Sequence, residues 1–268
     1  MRIAFLGGGN MATALIGGLV AKGADARSIS VIEVSPAARE RLGARYPVHI
    51  ATAPDAALAR SDVLVIAVKP QDAKSALASV SINRHLVMSI AAGVTLDSLS
   101  RWLGGHRKLV RCMPNTPALI GAGIAGLYAL PEVSQEEKDK AEKILGAAGE
   151  VVWVPEERLL DVVTAVSGSG PAYVFWFIEQ LAAAAEKLGI EKETAMKLAM
   201  HTVLGSAKLA ASSNEPPATL RKNVTSKRGT TEAALNVFEQ EKLAERFLRA
   251  LEAASRRGAE LGRELGKD

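Results

Sequence analysis

The sequence predicts an α/β domain over residues 1–154, followed by an all-helical domain over residues 155–268. Up to about Trp153, short β-branched runs alternate with amphipathic helical stretches, which is typical of parallel strands joined by crossover helices. After Pro155 the strand signal ends, and long segments rich in Ala and Leu indicate helices alone. The chain of 268 residues also exceeds the roughly 100 to 200 residues of a typical single domain.

Several segments of the first domain have the length and the β-branched, apolar composition of strands. In chain order they are Ile3 to Leu6, Ile29 to Val34, Val63 to Ala67, Leu86 to Ile90, Leu109 to Met113, Ile124 to Leu127, and Val151 to Trp153. A helix is predicted between the last two strands. Ser134 with Glu137 three residues later is a capping box that starts this helix, and Gly149 is its predicted end.

The helical domain opens with a long predicted helix that begins near Pro171 and runs towards Gly189. Its stretch from Tyr173 to Ile178 is apolar on every side, so it needs other helices around it. Those helices come either from a second subunit or from the same monomer, and the helix pattern favours neither source.

The amino-acid composition and net charge indicate which classes of protein fit this chain. Hydrophobic residues make up 48% and charged residues 23% of the chain, which are the proportions of a folded globular protein. The net charge of +4 comes from scattered basic residues, so we expect no nucleic-acid partner. The single cysteine, Cys112, favours a reducing cytoplasm, and no apolar run approaches the ~20 residues of a membrane span. We therefore expect a cytoplasmic protein without a membrane partner.

A glycine-rich turn follows the first strand. Gly7, Gly9 and Ala12 form a G-x-G-x-x-A spacing between that strand and a helix, which is the context of the dinucleotide fingerprint. Gly7 permits the tight turn, Gly9 lets the backbone approach the pyrophosphate, and Ala12 allows close helix packing. The helix N-terminus at Asn10 and Met11 would face the phosphates. The alternative is a plain glycine turn, but the spacing to the second strand favours a Rossmann-type domain for a nicotinamide dinucleotide.

The second strand ends in an acid, Glu33, placed to accept hydrogen bonds from the adenosine ribose hydroxyls of NADH. A carboxylate there would repel the 2′-phosphate of NADPH, whereas Arg39 or Arg41 in the next helix could bind it. The choice between NADH and NADPH therefore stays open. A solvated charge at a strand end is the alternative interpretation of Glu33.

Short motifs follow three later strands, and two further motifs lie in the helical domain. They are Ala67-Val68-Lys69-Pro70, Ser89-Ile90-Ala91-Ala92-Gly93, Arg111-Cys112-Met113-Pro114-Asn115-Thr116-Pro117, Ser167-Gly168-Ser169-Gly170-Pro171-Ala172-Tyr173, and Val224-Thr225-Ser226-Lys227-Arg228-Gly229-Thr230-Thr231. The first three lie at the carboxyl ends of predicted strands, the edge where parallel sheets bind ligands. In this order, across almost the whole chain, the set closely resembles the pyrroline-5-carboxylate reductase family.

The resemblance implies hydride transfer from NADPH or NADH to the C=N bond of 1-pyrroline-5-carboxylate, giving L-proline in the last step of proline biosynthesis. It also implies a helical domain for substrate binding and dimerisation, with each active site between the dinucleotide domain of one subunit and helices of its partner. Homodimers or larger rings of dimers are then expected, which favours the interface interpretation of the long helix. The cofactor residues expected around the nicotinamide half are Ala67, Val68, Lys69, Pro70, Ala91, Ala92, Gly93, Pro114 and Asn115.

The substrate residues are expected in the two helical-domain motifs. Gly229 and Thr230 precede a helix whose backbone N–H groups would bind the substrate carboxylate, with Ser226 as a further contact. By resemblance, Thr231 is the catalytic hydroxyl that hydrogen-bonds the imine nitrogen, whereas by itself it would be interpreted as an ordinary helix cap. Ser169 and Gly170 are expected to contact the substrate through a small-residue loop. Where the family often has Ser-Pro-Gly-Gly, this chain has two cations, Lys227 and Arg228, which puts the loop conformation in doubt.

Hydride transfer needs neither a nucleophile nor a metal, because the cofactor carries the difficult chemistry. Cys112 is accordingly expected to be a buried, inert side chain, and His201 a core or surface histidine. A β-hydroxyacid dehydrogenase is the nearest alternative, but such enzymes typically carry a Lys-x-x-x-Asn pair on this helix, and residues 171–186 contain no lysine. A non-catalytic nucleotide sensor of the same fold is the other, and Ser226 and Thr231 argue against it.

Overall fold

The computed structural model describes residues 1–267 and contains an eight-stranded sheet with the strand order β3-β2-β1-β4-β5-β6-β7-β8. The strands are β1 (Ile3–Leu6), β2 (Ile29–Ile32), β3 (His49–Ala51), β4 (Val63–Ile66), β5 (Leu86–Ser89), β6 (Leu109–Met113), β7 (Gly123–Ala129) and β8 (Gly149–Trp153). Neighbouring strands are parallel, except that β7 is antiparallel to β6. The strand order reverses between β1 and β4, the kind of position where open parallel sheets bind ligands.

The helices of the first part of the chain are short, and those of the second part are long. They are α1 (Asn10–Ala21), α2 (Pro36–Gly43), α3 (Ala56–Ala59), α4 (Ala73–Leu77), α5 (Leu96–Trp102), α6 (Gln135–Leu145), α7 (Leu159–Val163), α8 (Gly170–Lys187), α9 (Lys192–Ser212), α10 (Pro217–Asn223), α11 (Thr230–Gln240) and α12 (Leu243–Leu265). Among residues 1–267, no helix is long and apolar enough to cross a membrane.

The structure confirms every predicted strand and corrects two points. It adds β3, whose few residues are partly exposed at the sheet edge and give little apolar signal. It also makes β7 antiparallel to β6, where the alternating pattern predicted only parallel strands. The reason is the connection. A short 3₁₀ turn, Thr116–Ile120, ends at Gly121 in the left-handed region, so the chain reverses without a crossover helix.

The predicted start of helix α6 is confirmed, and its predicted end is four residues too late. Ser134 and Glu137 form the reciprocal capping box at the start of α6. That helix ends at Leu145, and Gly149 opens β8 instead of closing the helix. Gly149 has a φ of 154°, and a Cβ there would overlap the backbone of Gly123, so only glycine fits where the chain enters the strand.

The sheet buries both of its faces, as an α/β sheet requires. Alternate residues of β1 belong to two separate core clusters: Ile3 and Phe5 to one, Ala4 and Leu6 to the other. Both clusters draw on several strands and on the helices that cover them. This rigid double core fixes the carboxyl ends of the strands.

By its internal contacts the chain divides into two compact units. The cofactor unit comprises Met1–Ser169 with the C-terminal stretch from Ala253, and the helical unit comprises Gly170–Glu252. The boundary inferred from the sequence, between residues 154 and 155, stays a prediction about functional domains. Helix α12 begins in the helical unit and ends in the cofactor unit.

Candidate functional site

The loops that follow the parallel strands meet at one edge of the cofactor unit. The backbone N–H of Gly7 donates to the carbonyl of Ile32 at 2.8 Å, and that of Ala67 donates to the carbonyl of Leu6 at 2.8 Å. The N–H of Ile90 donates to the carbonyl of Ile66 at 3.0 Å. The loops after β1, β2, β4 and β5 are therefore bonded side by side, which brings together most of the residues expected to bind the cofactor.

Gly7 has to be glycine for two independent reasons. Its φ of 102° lies in the region that side chains disfavour, and a Cβ there would stand 2.8 Å from the carbonyl carbon of Ala67. The first glycine of the motif therefore permits both the turn and its close approach to the loop after β4.

The N-terminus of α1 suits the pyrophosphate of a dinucleotide. Gly9 is its N-cap, no side chain of the described chain caps it, and the first intrahelical bond runs from Thr13 N to Gly9 O at 2.9 Å. A Cβ on Gly9 would meet no atom within 4 Å, so the approach to the helix end is open. Asn10 is exposed and Ala12 buried, as their positions in the fingerprint require. Uncapped N–H groups and the positive end of the helix dipole favour an anion here.

Glu33 is held rigidly beside this turn. Its Oε2 accepts a hydrogen bond from the N–H of Gly8 and its Oε1 accepts one from the N–H of Ser35, both at 2.7 Å. Arg39 donates through Nη1 to the carbonyls of Glu33 and Val34. The bond to Gly8, which sequence reasoning missed, ties the acid to the glycine turn. A carboxylate and a guanidinium thus lie close together at the end of β2.

The next two loops carry the remaining cofactor candidates. Lys69 is exposed and precedes the 3₁₀ turn Pro70–Asp72. Ala92 is exposed, while Gly93 has a φ of 79° and is buried against Leu265 at the end of α12. The C-terminal helix therefore braces the loop that would lie beside the nicotinamide.

Pro114 and Asn115 are both buried. The Asn115 amide donates from Nδ2 to the carbonyl of Ser167 at 3.1 Å and accepts at Oδ1 from the N–H of Ile124 at 2.9 Å. Both ends of this side chain thus have protein partners. Its contact with the nicotinamide stays a prediction.

Sequence reasoning missed an ion-pair cluster below these loops. Arg111, whose side chain is 7% exposed, donates to Glu157 at 3.2 Å and to Asp161 at 3.1 Å. Glu157 also accepts a hydrogen bond from the N–H of Leu96 at the start of α5. The available signal was the position of Arg111 in an otherwise apolar strand, because a buried cation requires acidic partners.

The substrate candidates of the helical unit form one turn. Gly229 is the N-cap of α11, without a side-chain cap from any described residue, and its N–H donates to the carbonyl of Ser226 at 3.0 Å. A Cβ on Gly229 would overlap Ser226 Oγ, so the turn closes tightly only with glycine. Thr230 is exposed and Thr231 half-buried in the first turn of the helix. The arrangement offers uncapped N–H groups beside hydroxyls, which suits a carboxylate.

The two cations of this turn lie in a closed loop, and their effect on its conformation stays a prediction. Arg228 adopts a φ of 59°, a left-handed conformation that costs a non-glycine residue about 1 kcal/mol. Its backbone N–H donates to Glu232 Oε2 at 2.7 Å, which ties the turn to the helix. Lys227 and Arg228 are exposed, so they add positive charge beside the uncapped helix end.

Ser169 and Gly170 lie at the junction of the two units, where α8 begins. The N–H of Ser169 donates to the carbonyl of Thr164 at 2.8 Å, a π-helical bond that closes the turn Thr164–Gly168. The structure thus gathers the cofactor candidates in one unit and the Ser226–Thr231 turn in the other.

The remaining candidates are a cysteine and a histidine. Cys112 is buried, as predicted, and burial raises the pKa of its thiol far above the usual range, so it stays protonated and unreactive. His201 lies on an exposed part of α9. Residues 1–267 contain no cluster of three or more His, Cys, Asp and Glu side chains that could hold a metal ion.

Known proteins match both parts of the chain. A family model described as pyrroline-5-carboxylate reductase dimerisation matches residues 157–261, and one described as NADP oxidoreductase, coenzyme F420-dependent, matches residues 2–93. The chain is 45% identical to the pyrroline-5-carboxylate reductase of Pseudomonas aeruginosa, over 99% of this chain and 98% of that protein.

Solved structures give the same result. A pyrroline-5-carboxylate reductase from Coxiella burnetii is 42% identical, with a TM-score of 0.92 over 97% of this chain and 98% of that one. A pyrroline carboxylate reductase from Plasmodium falciparum with NADP bound is 28% identical, with a TM-score of 0.83 over 98% of both chains.

Proposed function

The chain belongs to the pyrroline-5-carboxylate reductase family, and from that premise we propose which of its residues carry out the reaction. It is an NAD(P)H-dependent oxidoreductase of proline biosynthesis that reduces 1-pyrroline-5-carboxylate to L-proline. The assignment rests on one observation. Helices α1 and α11 both have a glycine as N-cap, and no described side chain caps either helix end. One helix end suits the pyrophosphate of the cofactor and the other the carboxylate of the substrate.

The cofactor binds along the strand ends of the cofactor unit. Gly7, Gly9, Asn10 and Met11 hold the pyrophosphate at the start of α1, and Glu33 meets the adenosine ribose. The uncapped α1 end and the open space above Gly9 are what fit a dinucleotide. When bound, NAD(P)H supplies the hydride. The loops that surround the nicotinamide half comprise Ala67, Val68, Lys69, Pro70, Ala91, Ala92, Gly93, Pro114 and Asn115.

The Ser226–Thr231 turn holds the substrate. The N–H groups of Thr230 and Thr231 bind the carboxylate, and Gly229 as the N-cap lets it approach them. Ser226 adds a hydroxyl, and Ser169 and Gly170 contact the ring. The Thr231 hydroxyl hydrogen-bonds the imine nitrogen and helps to hold the proton that this nitrogen carries. This orientation is most of what the protein must supply, since positioning dominates where the cofactor performs the chemistry.

The dimerisation domain makes the protein an oligomer. We place each active site between the cofactor unit of one subunit and the helical unit of its partner, in a homodimer or a ring of homodimers. Support comes from the wide apolar face of α8, on which Phe175 and Trp176 are each 60% exposed in the single chain. The scattered basic residues support an enzyme without a nucleic-acid partner, and the single cysteine, Cys112, supports a cytoplasmic location. The lack of a long apolar run supports the absence of a membrane partner.

A spectrophotometric assay tests the function directly. The purified enzyme is mixed with 1-pyrroline-5-carboxylate and either NADH or NADPH, and cofactor oxidation and proline formation are followed together. We expect both products in equal amounts with at least one cofactor. Tight cofactor binding without turnover would contradict the enzymatic assignment and favour a nucleotide sensor.

A further inference from the structure

Side chains on one face of strand β6, and of the residues just after it, contact the segment that leads to Ser169 and Gly170. Arg111 and Met113 are two residues apart, and Asn115 continues this spacing in extended backbone with φ −126° and ψ 166°. Arg111 binds Glu157 and Asp161, and the methyl of Met113 lies 2.5 Å from where a Cβ on Gly168 would be. All of these contacts lie within the cofactor unit. Three side chains in succession therefore hold residues 157–168.

The segment of residues 157–168 ends in a π-helical turn. Residues Thr164–Gly168 are π-helical, and the hydroxyls of Thr164 and Ser167 bond back to the carbonyls of Leu160 and Val163. Single π turns are rare and are frequently found at functional sites. This one comes directly before Ser169 and Gly170, so its shape decides where they are presented.

The sequence explains why this turn needs an outside donor. In a helix, the carbonyl of Ser167 would accept from the N–H four residues later, but that residue is Pro171, which has no N–H. Asn115 Nδ2 supplies the missing donor at 3.1 Å. The bond from Ile124 N–H to Oδ1 fixes the orientation of the amide, because a flipped amide would place two donors face to face. The side chain is buried, so water does not readily replace it.

We propose that Asn115 is a positioning residue for the substrate: it completes the hydrogen bonding of the π turn that Pro171 leaves open, and thereby sets Ser169 and Gly170. The proposal rests on the proposed substrate role of those two residues. Asn115 keeps its place in the loop around the nicotinamide half, but both ends of its amide are bonded to protein atoms, so its side chain acts on the substrate side.

The test removes the hydrogen-bond donor of Asn115 and keeps the shape of its side chain. Asn115→Asp retains an acceptor for Ile124 but faces the Ser167 carbonyl with a carboxylate oxygen, so the turn loses its donor. We expect the KM for 1-pyrroline-5-carboxylate to rise about tenfold, the loss that one buried hydrogen bond brings, while the Kd for NAD(P)H changes less than about twofold. Ser134→Ala, which removes the α6 cap, is the matched control: it lowers the thermal midpoint and leaves both constants unchanged.

A second variant restores a donor within the chain. Pro171→Ala returns an N–H to the position where the Ser167 carbonyl needs one, so in that background Asn115→Asp should raise KM clearly less. If Asn115→Asp does not fold, Asn115→Ala removes the donor without adding charge and is measured in the same way. A role of Asn115 that does not act through the Ser167 carbonyl would give no such rescue.

Hydrogen exchange on the enzyme without ligands gives a readout that does not depend on turnover. We expect the Ser169 amide to exchange faster in Asn115→Asp than in the parent, and at the parent rate in Ser134→Ala. A raised Kd for NAD(P)H with an unchanged substrate KM, or unchanged exchange at Ser169, would overturn the proposal. A parent enzyme without turnover would instead contradict the proposed function. The exchange measurement does not depend on turnover, so it would still test the role of Asn115 in the turn.

Discussion

The cofactor unit and the helical unit bury their apolar residues very differently. The cofactor unit has two large clusters of fully buried side chains, one on each face of its sheet. The helical unit has one small cluster, in which only Ile178, Ala182 and Ala199 are buried. Its large apolar residues lie mostly at the surface of the single chain, among them Val174, Phe175, Trp176, Phe177, Leu198, Met200, Leu204, Val237, Phe238, Phe247 and Leu248.

The difference indicates where each unit obtains its stability. Buried apolar area is the main favourable term in folding, and the cofactor unit gathers it within one chain. Monomeric proteins rarely expose an apolar surface as wide as that of the helical unit, so we infer that a second copy covers it. The two units also divide the chemistry, since one holds the candidates for cofactor binding and the other holds the Ser226–Thr231 turn.

Loss of the Thr231 hydroxyl should have the largest effect. We expect Thr231→Ala to fold and to lose roughly 100-fold or more in kcat, the range for a group that assists proton transfer. NAD(P)H binding, which depends on the cofactor unit, should stay as in the parent. Steady-state kinetics and cofactor titration measure both quantities.

Thr231→Ser is the matched control, because it keeps the hydroxyl and removes only a methyl group. It should retain most of the turnover. Normal kcat in Thr231→Ala would remove Thr231 from the mechanism.

A charge on the apolar face of α8 should disrupt assembly. Trp176→Glu places a carboxylate where the account expects a buried aromatic anchor, and such anchors contribute about 2 kcal/mol or more, at least a 30-fold change in dimer dissociation. Light scattering over a dilution series should show monomers at concentrations where the parent is oligomeric.

Val152→Glu makes a similar change at an exposed valine of β8, in the cofactor unit. It should leave the oligomer intact. A Trp176→Glu protein that stays as oligomeric as the parent would mean that the exposed face of α8 is not the interface.

Glu33 should have a smaller effect, confined to the choice of cofactor. Glu33→Gln removes a negative charge beside the glycine turn, and we expect the ratio of kcat/KM for NADPH to that for NADH to rise about tenfold. Glu40→Gln, the same charge change at an exposed position of α2, should leave the ratio unchanged. An unchanged ratio in Glu33→Gln would show that the acid serves only to hold Gly8 and Ser35.

The sequence was most informative where local patterns decide structure. The buried strands, the α6 capping box and the start of α8 at Gly170 all follow from periodicity and capping residues within a few positions. The antiparallel β7 was missed because strand direction depends on the turn at Gly121, which the strand's own residues do not encode. Local signals therefore gave the elements but not every direction.

The site divides in the same way. The glycines of the first turn can be identified from spacing because only their backbone geometry matters, whereas the Ser226–Thr231 turn is identified by the family resemblance. The bonds from Glu33 to Gly8 and from Asn115 to Ser167 cannot, because they join residues far apart in the chain. The missing N–H of Pro171 was the one local sign that Ser167 needs a distant donor.

Complementation between two inactive variants tests the shared active site most directly. Gly9→Asp should abolish cofactor binding, because a carboxylate in the open space above α1 repels the pyrophosphate, whereas Thr231→Ala damages only the substrate turn. Subunits of the two variants are dissociated, mixed and reassociated. If each site combines two subunits, half of the dimers are hybrids with one intact site of two, and roughly a quarter of the parent activity returns. If the mixture stays as inactive as its components, each site lies within a single chain and the account is contradicted.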